Sequence, residues 1–127
     1  MILLDTNVII DLLNNEDDSR WDLLNQEDCV ICGIVISELY SGIRSKKEEK
    51  AVELFVNSLD CLSVEEGDWQ KIGQLISHFK KNGLSVPFQD AVLAYISIKY
   101  GCKILTLDKH FSMMKVLEDR IGLWEVC

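Results

Sequence analysis

The chain has 127 residues, 48% hydrophobic and 27% charged, with a formal net charge of −8. That length suits a single domain, residues 1–127, with a real hydrophobic core. The charge argues against gripping a polyanion by bulk electrostatics, since domains that do so are usually basic, and no apolar run approaches the roughly 20 residues of a membrane span.

Met1 to Leu4 is a continuous apolar run and predicts a buried central strand. No basic segment precedes it and Asp5 follows at once, so it reads as a first strand and not as a signal peptide, and a cytoplasmic location is expected. Asp5-Thr6-Asn7 ends the strand and opens a helix through Leu13. A short helix is predicted from about Asp18 to Asn25, a second strand over Cys29–Cys32 and a helix over Val35–Ile43. Lys46–Leu59 and Glu66–Lys81 read as amphipathic helices, the second ended near Asn82-Gly83. Phe88–Tyr100 predicts a third long helix, stopped at Gly101, followed by a buried strand over Lys103–Leu107 and a short last strand over Leu123–Val126. Short apolar runs alternating with helical ones predict an α/β domain with a mostly parallel sheet.

The five cysteines, Cys29, Cys32, Cys61, Cys102 and Cys127, are odd in number and scattered, unlike a disulfide framework. Cys29 and Cys32 form a CxxC inside a predicted strand, so they point to opposite faces. No second CxxC or HxxxH completes a zinc site. Buried thiols are the reading.

Four acids draw notice. Asp5 and Asp108 each follow an apolar strand, Ile2-Leu3-Leu4 and Ile104-Leu105-Thr106-Leu107. Ligands of open α/β sheets bind outside the carboxyl ends of the strands, although an aspartate there also serves as a helix N-cap. Asp90 lies in the first turn of a helix apolar nearly all round, where the helix dipole favours a carboxylate; such a site encloses the charge, and an enclosed charge needs a partner. Glu38 falls at the boundary of the apolar stripe of its helix, with Gly42 one turn below; its plain alternative is a solvated side chain. Two carboxylates about 5 Å apart repel by roughly 3 kcal/mol at an effective dielectric near 20, so four that converge require protons or a metal. All-oxygen ligands select hard cations, Mg²⁺ or Mn²⁺, which lower the pKa of water and neutralise charge on a phosphoryl group. The reading is in-line hydrolysis of a phosphodiester.

At these residues the chain resembles the PIN-domain family, and most closely the VapC-type toxins of bacterial toxin–antitoxin modules. The resemblance rests on Met1-Ile-Leu-Leu-Asp-Thr-Asn7, Ile36-Ser-Glu-Leu-Tyr-Ser-Gly42, Pro87-Phe-Gln-Asp-Ala-Val-Leu-Ala94 and Leu105-Thr-Leu-Asp-Lys-His-Phe111, in this order, and covers nearly the whole length. It implies a three-layer α/β/α sandwich, a metal-dependent endoribonuclease acting on RNA, inhibition by a cognate antitoxin, and a homodimer. It places the family's acidic ligands on Asp5, Glu38, Asp90 and Asp108, with Asp108 at the variable position. Thr6, Asn7 and Thr106 then stand beside them, Asn7 and Thr106 orienting ligands or water. Arg44, Lys46, Lys47, Lys109 and His110 are candidate substrate contacts, with solvated surface charge as the alternative. The antitoxin is expected to lay an amphipathic helix in an apolar groove, lined by residues such as Trp21 or Leu24, and to send a basic side chain into the acids. Two other readings are a catalytically inactive PIN-like module that binds RNA or protein, and a receiver-like signalling domain.

Overall fold

The computed structural model describes residues 1–125. The expected strand residue Val126 and the Cys127 thiol lie outside the described residues.

Five strands form one sheet: β1 (Ile2–Leu4), β2 (Cys29–Cys32), β3 (Asp60–Leu62), β4 (Lys103–Leu105) and β5 (Gly122–Leu123). Seven helices connect them: α1 (Thr6–Leu13), α2 (Arg20–Gln26), α3 (Gly33–Ser41), α4 (Lys46–Asn57), α5 (Asp68–Lys81), α6 (Phe88–Tyr100) and α7 (His110–Leu117). The strand order is β3-β2-β1-β4-β5 and every pairing is parallel. Every residue of β1 and β2 is buried, as strands become when helices cover both faces of a parallel sheet. The layers are therefore α/β/α.

The order has a functional consequence. From β1 the chain moves outward through β2 to β3, then returns across β1 to place β4 and β5 on its other side. The register Leu3↔Ile104 and Leu4↔Leu105 sets the carboxyl ends of β1 and β4 side by side at this reversal. A crevice opens where the connections diverge, and binding sites of such sheets form there.

The helix predicted to be enclosed is enclosed: Ala91 through Ser97 of α6 are all buried. Gly101 ends α6 with φ +66, a left-handed conformation that favours glycine. Ser97, at 0% exposure, is satisfied by donating to the Cys102 carbonyl at 2.6 Å and accepting from the Gly122 N–H at 2.9 Å, which ties β5 to α6. No helix of the described residues is long and apolar enough to cross a membrane.

Several expectations need correction. The strand predicted to reach Leu107 stops at Leu105; Thr106 turns out of the sheet and Leu107 is 53% exposed. Two elements were not foreseen. Strand β3 is a sheet edge, with Asp60 and Cys61 exposed, so it lacks an apolar run. Helix α7 buries only Phe111 and Met114, too few to show a period. The last strand is Gly122–Leu123, earlier than predicted. Cys29 and Cys32 are buried as expected, and burial pushes the Cys32 thiol up to about 11; Cys102 is buried too, and Cys61 is exposed. Trp21 and Leu24 do not line an open groove: both pack against the core, and Trp21 meets Phe55 edge-on at 6.0 Å.

Candidate metal centre

Asp5 lies where β1 gives way to α1. Its extended backbone and its side chain cap the helix: Oδ1 accepts from the Thr6 N–H at 2.8 Å. The capping alternative is therefore true of Asp5, but it uses one oxygen. Oδ2 faces β4 and accepts from the Thr106 hydroxyl at 2.6 Å. Asp5 is only 7% exposed, and none of its contacts is a cation among the described residues.

Thr106 sits at the centre of the turn after β4. Its hydroxyl donates to Asp5, accepts from the Asp108 N–H at 3.0 Å, and is 3.5 Å from the Asn7 side-chain nitrogen. Asn7 Oδ1 accepts from the Leu107 N–H at 3.1 Å. Side chains at the start of α1 thus hold the turn that carries Asp108. A strand that simply ran on to Leu107 would lack this turn; the polar contacts of Thr106 and Asn7 draw the chain out of the sheet.

Glu38 reaches the same place from α3. Its carboxylate is half-buried, and Oε1 accepts from the Thr6 hydroxyl at 2.8 Å. Thr6, next to Asp5, therefore links the first two acids.

Asp90, in the first turn of α6, is half-buried, and its carboxylate accepts no hydrogen bond among the described residues. Burial, then the charges of Asp5, Asp108 and Glu38, push its carboxyl up to about 6, with His110 pulling the other way. One ligand atom each from Asp90, Asp108 and His110 lie within 4.8 Å of one another. The His110 main-chain N–H donates to Asp108 Oδ1 at 3.0 Å, and ring Nδ1 lies 3.4 Å from the same oxygen.

The crevice therefore gathers Asp5, Thr6, Asn7, Glu38, Asp90, Thr106, Asp108 and His110. Sequence reasoning placed His110 among substrate contacts; the structure puts its ring among the carboxylates. The Asp108-Lys109-His110 spacing was visible, but the fold of the turn was not. Lys109 is exposed at the start of α7 and borders a small cavity of about 160 Å³ with Thr106 and Asp108. Arg44 and Lys47 are not with the acids: they line a groove of about 1250 Å³ that includes none of the four carboxylates, and Lys46 lies exposed beside them in the first turn of α4.

No Lys or Arg pairs with Asp5, Glu38, Asp90 or Asp108 among the described residues. A half-buried carboxylate that lies beside a second one, feels the charge of two more and lacks a Lys or Arg partner suits a divalent ion. The donor set fits such an ion on its chemistry.

A family model described as PIN domain matches residues 2–117. The chain belongs to the PIN-domain family. Solved structures agree in fold with this PIN domain. VapBC2 from Rickettsia felis, bound to a DNA fragment from its promoter, aligns with TM-score 0.83 at 20% identity, over 98% of this chain and 100% of that one. DNA-bound VapBC from Salmonella typhimurium aligns with TM-score 0.83 at 22% identity, over 99% and 98%. VapBC-1 from nontypeable Haemophilus influenzae gives 0.77 at 20% identity, over 98% of both chains. A search among curated proteins returns no match. The receiver-like alternative is set aside, because that fold orders its strands 2-1-3-4-5 and this PIN domain orders them 3-2-1-4-5.

Proposed function

We propose that this PIN domain is a metal-dependent endoribonuclease, the toxin of a type II toxin–antitoxin module. The observation that carries the reading is the Asp90 carboxylate: half-buried, accepting no hydrogen bond among the described residues, close to Asp108, and raised in pKa by burial and by the charges of Asp5, Asp108 and Glu38. An apo scaffold has no physical reason to retain that repulsion. Asp5, Glu38, Asp90 and Asp108 would hold Mg²⁺ or Mn²⁺. When bound, the ion supplies positive charge for the phosphoryl oxygens and makes water more acidic. The chain's own residues then do the positioning. Thr106 and Thr6 fix the rotamers of Asp5 and Glu38 through their hydroxyls, and Asn7 holds the turn that presents Asp108. Lys109 and His110 follow Asp108 directly, where they can meet a phosphate; Arg44, Lys46 and Lys47, just before and at the start of α4, can meet RNA only beyond the acids.

The solved relatives are VapBC pairs, and a VapB-like antitoxin is the proposed partner here. The groove between α1, α3 and α4 offers Ile10, Leu13, Leu39, Ile43 and Val52 to the apolar face of a helix, with Arg44 and Lys47 at its rim. A homodimer acting in the cytoplasm completes the proposal.

The test is cleavage of total RNA by the parent and by Asp5→Asn and Asp90→Asn. Both variants should lose cleavage while keeping the fold by circular dichroism. EDTA should abolish the parent's activity, and Mg²⁺ or Mn²⁺ should restore it. Full cleavage in chelator, or by Asp90→Asn at the parent rate, refutes the assignment. The second reading, an inactive module that binds RNA or protein, predicts no divalent-ion binding in calorimetry.

A further inference from the structure

We infer that His110 contributes a ring nitrogen to the divalent centre, making a mixed nitrogen–oxygen site that favours Mn²⁺ over Mg²⁺; this rests on the metal-dependent reading above. Donor atoms around one ion at about 2.0–2.2 Å lie no more than roughly 4.4 Å apart. The atoms offered by Asp90, Asp108 and His110 are already within 4.8 Å of one another. Neighbouring donors of an octahedral ion lie roughly 3 Å apart, so closing that set needs side-chain adjustments of roughly 1–2 Å.

The ring is not a free surface group. Its side chain is 32% exposed and Nδ1 lies 3.4 Å from Asp108 Oδ1, while the main-chain N–H of His110 donates to the same oxygen at 3.0 Å. The remaining carboxylates are held differently. Both oxygens of Asp5 accept hydrogen bonds, from the Thr6 N–H and the Thr106 hydroxyl, and Glu38 Oε1 accepts from the Thr6 hydroxyl. Asp90 accepts no hydrogen bond among the described residues, Asp108 accepts from the His110 N–H, and the imidazole offers a nitrogen within 4.8 Å of an oxygen of each. The crevice is therefore asymmetric, with hydroxyls fixing the acids at the α1 end and a nitrogen donor at the α7 end. Imidazole is a poor ligand for Mg²⁺, which prefers oxygen and near-ideal octahedral geometry, and a good one for first-row transition ions. The chain's only other histidine, His78, engages the Leu117 carbonyl at 3.0 Å.

The experiment uses the full chain loaded with Mn²⁺. Pulsed electron paramagnetic resonance should show coupling of the Mn²⁺ spin to a ¹⁴N nucleus. His110→Gln should lose that coupling and bind Mn²⁺ at least about tenfold more weakly by calorimetry, with Mg²⁺ affinity changed far less. His78→Gln should keep the coupling. A parent protein that binds Mn²⁺ without nitrogen coupling overturns the inference even if His110→Gln fails to fold. So does a coupling that survives in His110→Gln, or an equal loss of affinity for both ions; His110 would then serve only as a hydrogen-bond partner or counter-charge of Asp108. RNA cleavage with Mn²⁺ but no nitrogen signal defeats this inference alone, whereas failure to bind any divalent ion defeats the nuclease reading as well.

Discussion

Replacing Asp90 by asparagine should make the metal-free protein more stable at neutral pH while removing its function. In the folded chain the Asp90 carboxyl is pushed from 3.8 up to about 6, first by burial and then by Asp5, Asp108 and Glu38. That displacement disfavours the charged form by about 3 kcal/mol, at 1.36 kcal/mol per pH unit. Partial exposure and screening reduce the part felt by folding to about 2 kcal/mol. The sign follows from proton binding. Between pH 4 and 6 the folded state binds more protons at this position than the unfolded state, so stability falls as pH rises through that window. Above about 6 the penalty is complete; below 3.8 both states are protonated and it vanishes. Asparagine keeps the shape and carries no charge. In chelator at pH 8, Asp90→Asn should therefore melt roughly 5–10 °C above the parent, and the gap should close by pH 4. Urea unfolding at both pH values measures it independently of heat. If the variant is no more stable than the parent at pH 8, or if the gap does not depend on pH, the four acids do not converge as described.

Thr106→Val, nearly isosteric, removes the hydroxyl that donates to Asp5 Oδ2 and accepts from the Asp108 N–H. Its affinity for Mn²⁺ should fall by about 10–100-fold with the fold intact, and an unchanged calorimetric titration would show that Thr106 does not position Asp5. Gly122→Ala places a Cβ 2.9 Å from the Cys102 carbonyl oxygen and 3.3 Å from the Lys103 Cα, both main chain. It should cost about 1–3 kcal/mol in urea unfolding by forcing β5 away from β4; parent-like stability would mean that the edge strand adjusts freely.

Where one element's own residues record its surroundings, local sequence was enough. The all-round apolar run of α6 specified an enclosed helix, and the Met1–Leu4 run specified a buried strand, because burial on every side leaves no polar period. The acids at Asp5 and Asp90 were conspicuous for the same reason: each interrupts a run that packing makes apolar. Elements in weaker environments left no such mark. Strand β3 lies at an edge and α7 buries two side chains, so neither needed a pattern.

Composition and spacing alone determined an acidic α/β domain with carboxylates at strand ends and in the first turn of a buried helix. Only the tertiary structure decided which of those groups share space: that Thr6 ties Asp5 to Glu38, that Thr106 draws the chain out of the sheet, and that the His110 ring joins Asp90 and Asp108 while Arg44 and Lys47 stand elsewhere. The physical reason is that periodicity encodes each residue's exposure within its own element. Distances between side chains of different elements are set by sheet order, register and the turns between them.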